Sequence, residues 1–155
     1  MRITQWGEYG VLISVFIAKK GQEGGSPVVG AAEIANAQEI ALQYAQQILL
    51  RLRDGGVVES IRGPHGGYRL ARHASEISLR DILLAAEGNT FEVICETKPL
   101  GQRRCLSGCC CFLTGVWKGL REHVDSYLAS CSLERLVAED LAFEAQASDH
   151  MALHQ

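Results

Sequence analysis

No stretch of this chain is apolar for long enough to cross a membrane. Of its 155 residues 47% are apolar, enough for a core, yet no run approaches the ~18 uninterrupted apolar residues that a spanning helix needs. The N-terminal stretch MRITQWGEYGVLISVFIAKK holds a short apolar segment, but it carries Glu8 and no small-residue cleavage site, so no export signal is expected. A soluble, cytoplasmic protein is the expectation. The length excludes two large independent domains and suits one compact domain with an extension.

There is no surplus of positive charge either, because 15 Lys and Arg stand against 18 Asp and Glu. Distribution counts for more than the total. Residues 1–80 hold nine Lys and Arg against seven Asp and Glu, residues 81–155 six against eleven, and between 40 and 72 five arginines face only Asp54 and Glu59. A mildly basic head on an acidic tail fits a protein that touches phosphate with one part only.

Cysteine is absent from the first 94 residues. The six cysteines lie at 95, 105, 109, 110, 111 and 131, five of them within seventeen residues. A secreted disulfide scaffold would spread them; clustered in a cytosolic chain, they point to metal, an iron–sulfur cluster or redox sensing. The histidines at 65, 73, 123, 150 and 154 show no pairing at ligand spacing, so a histidine-based metal site is not expected. No nucleophile–base pair and no phosphate loop is present, so catalysis is not expected.

Apolar residues at Ile3, Trp6, Val11, Leu12, Val15 and Phe16 predict a helix over 3–19. A loop with four glycines and Pro27 follows, then a short helix over 31–37, AAEIANA. In EIALQYAQQILLRLRDGG the apolar residues Ala45, Ile48, Leu49 and Leu52 form a buried stripe, and Gly55 and Gly56 supply the stop. The opposite face displays Gln43, Tyr44, Gln46, Gln47 and Arg51. Residues 57–62 and 68–71 read as strands joined by GPHGG. Ser78 to Asp81 is a capping box that opens the helix DILLAAE, which Gly88 closes. From 112 onward Leu113, Trp117, Leu120, Val124, Tyr127 and Cys131 are spaced 4, 3, 4, 3, 4, a heptad seam that suits a two-fold dimer or a helix packed on its own core. Residues 144–155 carry little apolar patterning and are expected to be a flexible tail.

The pattern predicts a mainly α fold with a small β-hairpin wing: a winged helix-turn-helix over 1–88, a cysteine-rich loop over 89–111, a dimerisation helix with a C-terminal helix over 112–143, and the tail. A side-chain amide donates and accepts at once, so Gln46 and Gln47 suit bidentate contacts to adenine, while Tyr44 and Arg51 reach phosphates. In SIRGPHGGYRL the glycines let the hairpin tip approach a sugar–phosphate backbone, and Arg62 suits the negative potential of a narrow minor groove.

The strings MRIT, AAEIA, Tyr44 to Leu52, RGPHGGYRLAR, ISLRDILLAAEG, the cysteine region and a tryptophan helix ending in SLERLV together span residues 1–137. In these the chain resembles the IscR/NsrR-type family of winged-helix transcriptional repressors. The resemblance implies a homodimer that reads a palindromic operator in double-stranded DNA, with Gln43, Tyr44, Gln46 and Gln47 on the recognition helix and Arg62 and Gly63 in the wing. Some iron–sulfur members carry glutamate where this chain has Gln46, so the operator sequence does not carry over.

The resemblance also implies an iron–sulfur cluster, 2Fe-2S or 4Fe-4S. In cluster-binding members the last cysteine lies six residues before the helix tryptophan and the middle one six residues earlier, positions held here by Cys111 and Cys105. Cys95 takes the first place, at a longer gap than is usual. Some members complete the set with a histidine three residues after the last cysteine, where this chain has Thr114. Others use an acidic residue near the N-terminus, and the matching position is Glu8, reaching the partner subunit's cluster. Cys109 and Cys110 stand as alternatives to Cys111, as a reversible disulfide or as spare thiols. Cys131 is read as packing. The expected function is a redox-, nitric-oxide- or cluster-sensing repressor. The alternatives are a cluster-free thiol or zinc regulator using Cys95, Cys105, Cys109 and Cys111, and a winged-helix module that regulates a partner protein.

Overall fold

The computed structural model describes residues 3–22, 28–88, 91 and 112–152. Helix α1 (Gln5–Gln22) leads to α2 (Ala31–Ala37) and α3 (Leu42–Asp54), then the strands β1 (Val58–Ile61) and β2 (Gly67–Leu70). A 3-10 turn at Ala74–Glu76, α4 (Leu79–Glu87), α5 (Phe112–Ser130) and α6 (Leu133–Ala152) follow.

The α3 stripe forms as the periodicity requires: Ala45, Ile48, Leu49 and Leu52 are wholly buried. Each of the three larger side chains contributes about 1.5–3 kcal/mol by leaving water. Gly55 caps the helix, and Gly56 at φ +71° turns the chain so that Val57 donates back to the Leu52 carbonyl at 2.9 Å. That reversal buries Val57 and launches β1. The strands pair antiparallel, Val58 opposite Leu70 and Ile61 opposite Gly67. A third segment joins them, since Val29 and Tyr68 exchange backbone hydrogen bonds of 2.8 Å each. A Cβ on Gly67 would collide with the Val29 carbonyl, so glycine is what lets this segment close on β2.

Helix α1 forms as expected, and its buried face is built largely on small residues. Gly7, Gly10, Ile13, Ser14, Ile17 and Ala18 face inward together with Val15, while Ile3 and Leu12 are 45% and 48% exposed. The cause is a close helix crossing: a Cβ on Gly10 would stand 2.9 Å from that of Ala86 on α4. Small residues therefore occupy the contact, which a count of large apolar side chains overlooks. Buried Ser14 is satisfied by donating to the Gly10 carbonyl at 2.7 Å.

Helix α4 starts with the expected capping box: Asp81 N donates to Ser78 Oγ at 3.1 Å, and Ser78 N donates to Asp81 Oδ2 at 3.0 Å. Burial alone would raise the Asp81 carboxyl, but the Ser78 hydrogen bonds and the nearby Arg72 guanidinium outweigh it and hold the pKa below the usual carboxylate value. A carboxyl lowered in the folded state contributes stability that is present above its unfolded pKa and is lost as pH falls through the folded one. Asp81→Asn is thus expected to be less stable than wild type by about 0.3–1 kcal/mol at neutral pH. Urea midpoints measured from pH 7 downward should show that gap closing below about pH 4.

The turn between α5 and α6 docks on the winged domain. Leu79 N donates to the Cys131 carbonyl and Leu133 N to the Ile77 carbonyl, both at 2.7 Å. Leu128, Cys131, Leu133 and Val137 are buried there, so Cys131 packs as expected. Beyond 143, where a flexible tail was expected, α6 continues as helix to Ala152. Lys19 Nζ holds it from α1, at 3.0 Å from Asp140 and 2.8 Å from Glu144. Along the heptad seam Leu113, Trp117 and Val124 are half-buried, whereas Leu120 and Tyr127 are exposed, as is the neighbouring Val116. Among the described residues, no helix is long and apolar enough to cross a membrane.

Candidate nucleic-acid interface

Burial of Ala45, Ile48, Leu49 and Leu52 leaves Gln43, Gln46 and Gln47 exposed on the outer face of α3. Helix α2 braces α3 through a tight turn, in which Ile40 N donates to the Ala35 carbonyl at 3.0 Å and Glu39 adopts φ +53°. The three amides thus sit on a helix fixed from behind, the condition for a base-reading surface.

The wing places Arg62 and Gly63 at an exposed tip. Gly66 N donates to the Gly63 carbonyl at 3.0 Å, closing a turn through Pro64 and His65, and Gly63 takes φ +129°, a conformation that side chains resist. A Cβ on Gly66 would collide with the Ile61 carbonyl. Arg69 pairs with Glu59 across the strands, whereas no ion pair engages Arg62 among the described residues.

Tyr44 and Arg51 sit differently from the amides. The half-buried Tyr44 ring meets the edges of Trp6 and Tyr9 at centroid distances of 4.9 and 5.8 Å. Burial pushes its phenol pKa up, and Tyr9 adds to the effect, so it remains a neutral O–H donor. The Arg51 guanidinium lies 4.1 Å over the Trp6 ring, and its Nη1 donates to the Ala86 carbonyl at 2.8 Å. It links α3 to α1 and α4 in this arrangement, and any phosphate would have to use its remaining N–H groups. In the sequence Trp6 stands as one apolar position of the first helix, and Tyr9 carries no expected role. The i, i+3 spacing of two aromatics on α1 was the available signal.

Glu8 is exposed in the first turn of α1, beside an apolar depression of about 430 Å³ lined by Ile3, Gly7, Val11, Leu12, Leu79 and Leu83. Its carboxylate makes no hydrogen bond or ion pair among the described residues. Cys95, Cys105, Cys109, Cys110 and Cys111 lie outside the described residues. The segment's neighbours are placed: Phe91 is buried with Arg121 of α5 at 5.7 Å from its ring, and α5 begins at Phe112, directly after Cys111.

A helix-turn-helix with an amide-rich outer face, beside a glycine-tipped hairpin carrying an exposed arginine, defines a winged-helix DNA-binding regulator. Residues 3–139 match the Rrf2 family model, described as an iron-dependent transcriptional regulator. The chain belongs to the Rrf2 family, whose members are transcriptional regulators and not enzymes. It is similar to the HTH-type transcriptional regulator IscR of Photorhabdus laumondii, 37% identical over 137 residues, or 88% of this chain and 79% of that protein. The IscR of Xenorhabdus nematophila is 38% identical with the same coverage. Among solved structures, CymR, the global cysteine regulator of B. subtilis, superposes with a TM-score of 0.70 at 29% identity, covering 90% of this chain and 98% of that one. IscR of T. potens gives 0.69 at 26% identity, covering 90% and 88%.

Proposed function

We propose that this regulator acts as a homodimer on a palindromic operator and holds one iron–sulfur cluster per subunit, whose gain or loss changes operator affinity. Gln43, Gln46 and Gln47 read the major groove, Arg62 and Gly63 follow the minor groove, and Tyr44 meets phosphate. The observation that carries the DNA-reading half is the joint exposure of the α3 amides and the wing tip on a braced scaffold. Leu120, Val116 and Tyr127 on α5 support the dimer, since 44–63% exposure of large apolar side chains along one helix face is costly without a second copy.

The donor set fits a cluster: Cys95, Cys105 and Cys111 supply soft thiolates, and Glu8, exposed and without a partner among the described residues, supplies a harder carboxylate. A cluster held by these residues would be sensitive to oxidants or nitric oxide, because a carboxylate is a weaker ligand for its iron than a thiolate. The protein's own part is a two-state equilibrium, biased by as much as cluster affinity differs between the states. A second reading, a thiol switch using Cys109 and Cys110, is favoured by the likeness to CymR, which has also been solved from Staphylococcus aureus in an oxidised form. Footprinting tests the dimeric reading: protected half-sites centred about 34–36 Å apart are expected, and protection of a single half-site would contradict it.

A further inference from the structure

We infer that Glu87 is a positioning residue for DNA reading: from the end of α4 its carboxylate fixes the start of α1 and so holds the aromatic platform beneath recognition helix α3. The inference rests on the DNA-reading half of the proposal and not on the cluster.

Glu87 Oε1 accepts hydrogen bonds from Thr4 N at 2.6 Å, Thr4 Oγ1 at 3.1 Å and Gly7 N at 2.9 Å. The first N–H groups of a helix have no partner within it. Thr4 satisfies one locally, its Oγ1 accepting from Trp6 N at 3.2 Å. The carboxylate satisfies another from 80 residues away, and its charge suits the positive end of α1. Gly7 makes the approach feasible, because a Cβ there would overlap Glu87 Oε1.

The same end of α4 also grips α3. Ala86, the preceding residue, accepts from Arg51 Nη1, and the Arg51 guanidinium stacks on Trp6. Trp6 and Tyr9 pack on Tyr44, one position from Gln43 and two from Gln46 on the reading helix. Consecutive residues of α4 therefore hold α3 and α1, and Trp6 closes the ring between them. Apolar contact between Gly10 and Ala86 would let α1 slide or rotate on α4. Three donors converging on one charged oxygen fix both its axial position and its rotation.

The test compares wild type, Glu87→Gln and Glu87→Ala for affinity to the operator and to a random duplex, beside amide exchange at Thr4 and Gly7. Glu87→Ala is expected to lose protection at both amides and to lower the operator-to-random ratio about tenfold, the scale of a lost charge-assisted hydrogen bond. Glu87→Gln, which keeps a carbonyl acceptor, should recover most of both. A merely structural role would lower affinity for the two duplexes in proportion and leave their ratio at the wild-type value. That result overturns the inference, and should Glu87→Ala not fold, Gly7→Ala, whose Cβ would displace Glu87 Oε1, takes its place: a wild-type ratio there overturns the inference equally. A wild type that fails to discriminate operator from random DNA would refute the DNA-reading assignment and this inference with it. An unchanged ratio in Glu87→Ala, with a wild type that discriminates, refutes this inference alone.

Discussion

Alanine at Gln46 or Gln47 is expected to weaken operator binding by about 1–3 kcal/mol for each amide that reads a base, roughly five- to 150-fold, and to relax preference at that base. The size follows from where these side chains sit. They project from a helix whose other face is wholly buried through Ala45, Ile48, Leu49 and Leu52, so α3 cannot rotate to offer substitutes. Arg62→Ala should cost a similar factor on operators with a narrow minor groove and less on wide ones. Arg53 is the control on the same helix: it is exposed and paired with Asp54 at 2.9 Å, and Arg53→Ala should leave sequence preference unchanged. Quantitative gel shifts at fixed salt, with operator and random duplexes side by side, read all of these. Loss of affinity equal on both duplexes in the glutamine variants would remove the amides from base reading.

Cluster content should respond as sharply to the cysteines. Cys105→Ala and Cys111→Ala are expected to yield a colourless protein after anaerobic purification, since a cluster with two remaining thiolates is poorly held. Glu8→Ala should retain the fold, because the carboxylate is exposed and makes no hydrogen bond or ion pair among the described residues, but should shift the absorbance spectrum or speed cluster loss. Cys131→Ala should leave the spectrum untouched, as Cys131 is buried in the turn between α5 and α6. An unchanged spectrum in Glu8→Ala would take that residue off the ligand set. Stoichiometric zinc in a colourless wild type would favour the zinc alternative.

Much of this architecture was legible because it is local. The α3 stripe, the 31–37 helix, the capping box at Ser78 and Asp81, and the glycine-rich hairpin each announce themselves within a dozen residues, where periodicity and turn chemistry act. What the sequence hid is contact between distant segments. The single-residue pairing of Val29 with Tyr68 has no period to detect. The buried face of α1 is built on Gly7 and Gly10, which carry no apolar signal of their own. Glu87 looked like the last residue of a helix, yet its partners lie at Thr4 and Gly7. Arg51 was legible as a cation and not as a tie to Trp6 and Ala86. The last turns of α6 lack an apolar stripe, and the tie that reaches the middle of that helix is polar, from Lys19 to Glu144 at 2.8 Å. At the proposed interface Gln43, Gln46, Gln47, Arg62 and Gly63 are exposed together, whereas the first-turn position of Glu8 says where a carboxylate is available and leaves its partner to chemistry.

As proposed, one chain joins a DNA-reading head to a cluster-dependent switch. The most direct measurement is operator affinity of protein purified without oxygen, before and after the cluster is stripped by a chelator, at one salt concentration. A brown protein whose affinity changes by about 1–3 kcal/mol, five- to 150-fold, on stripping is expected. Equal affinities in the two forms would contradict it.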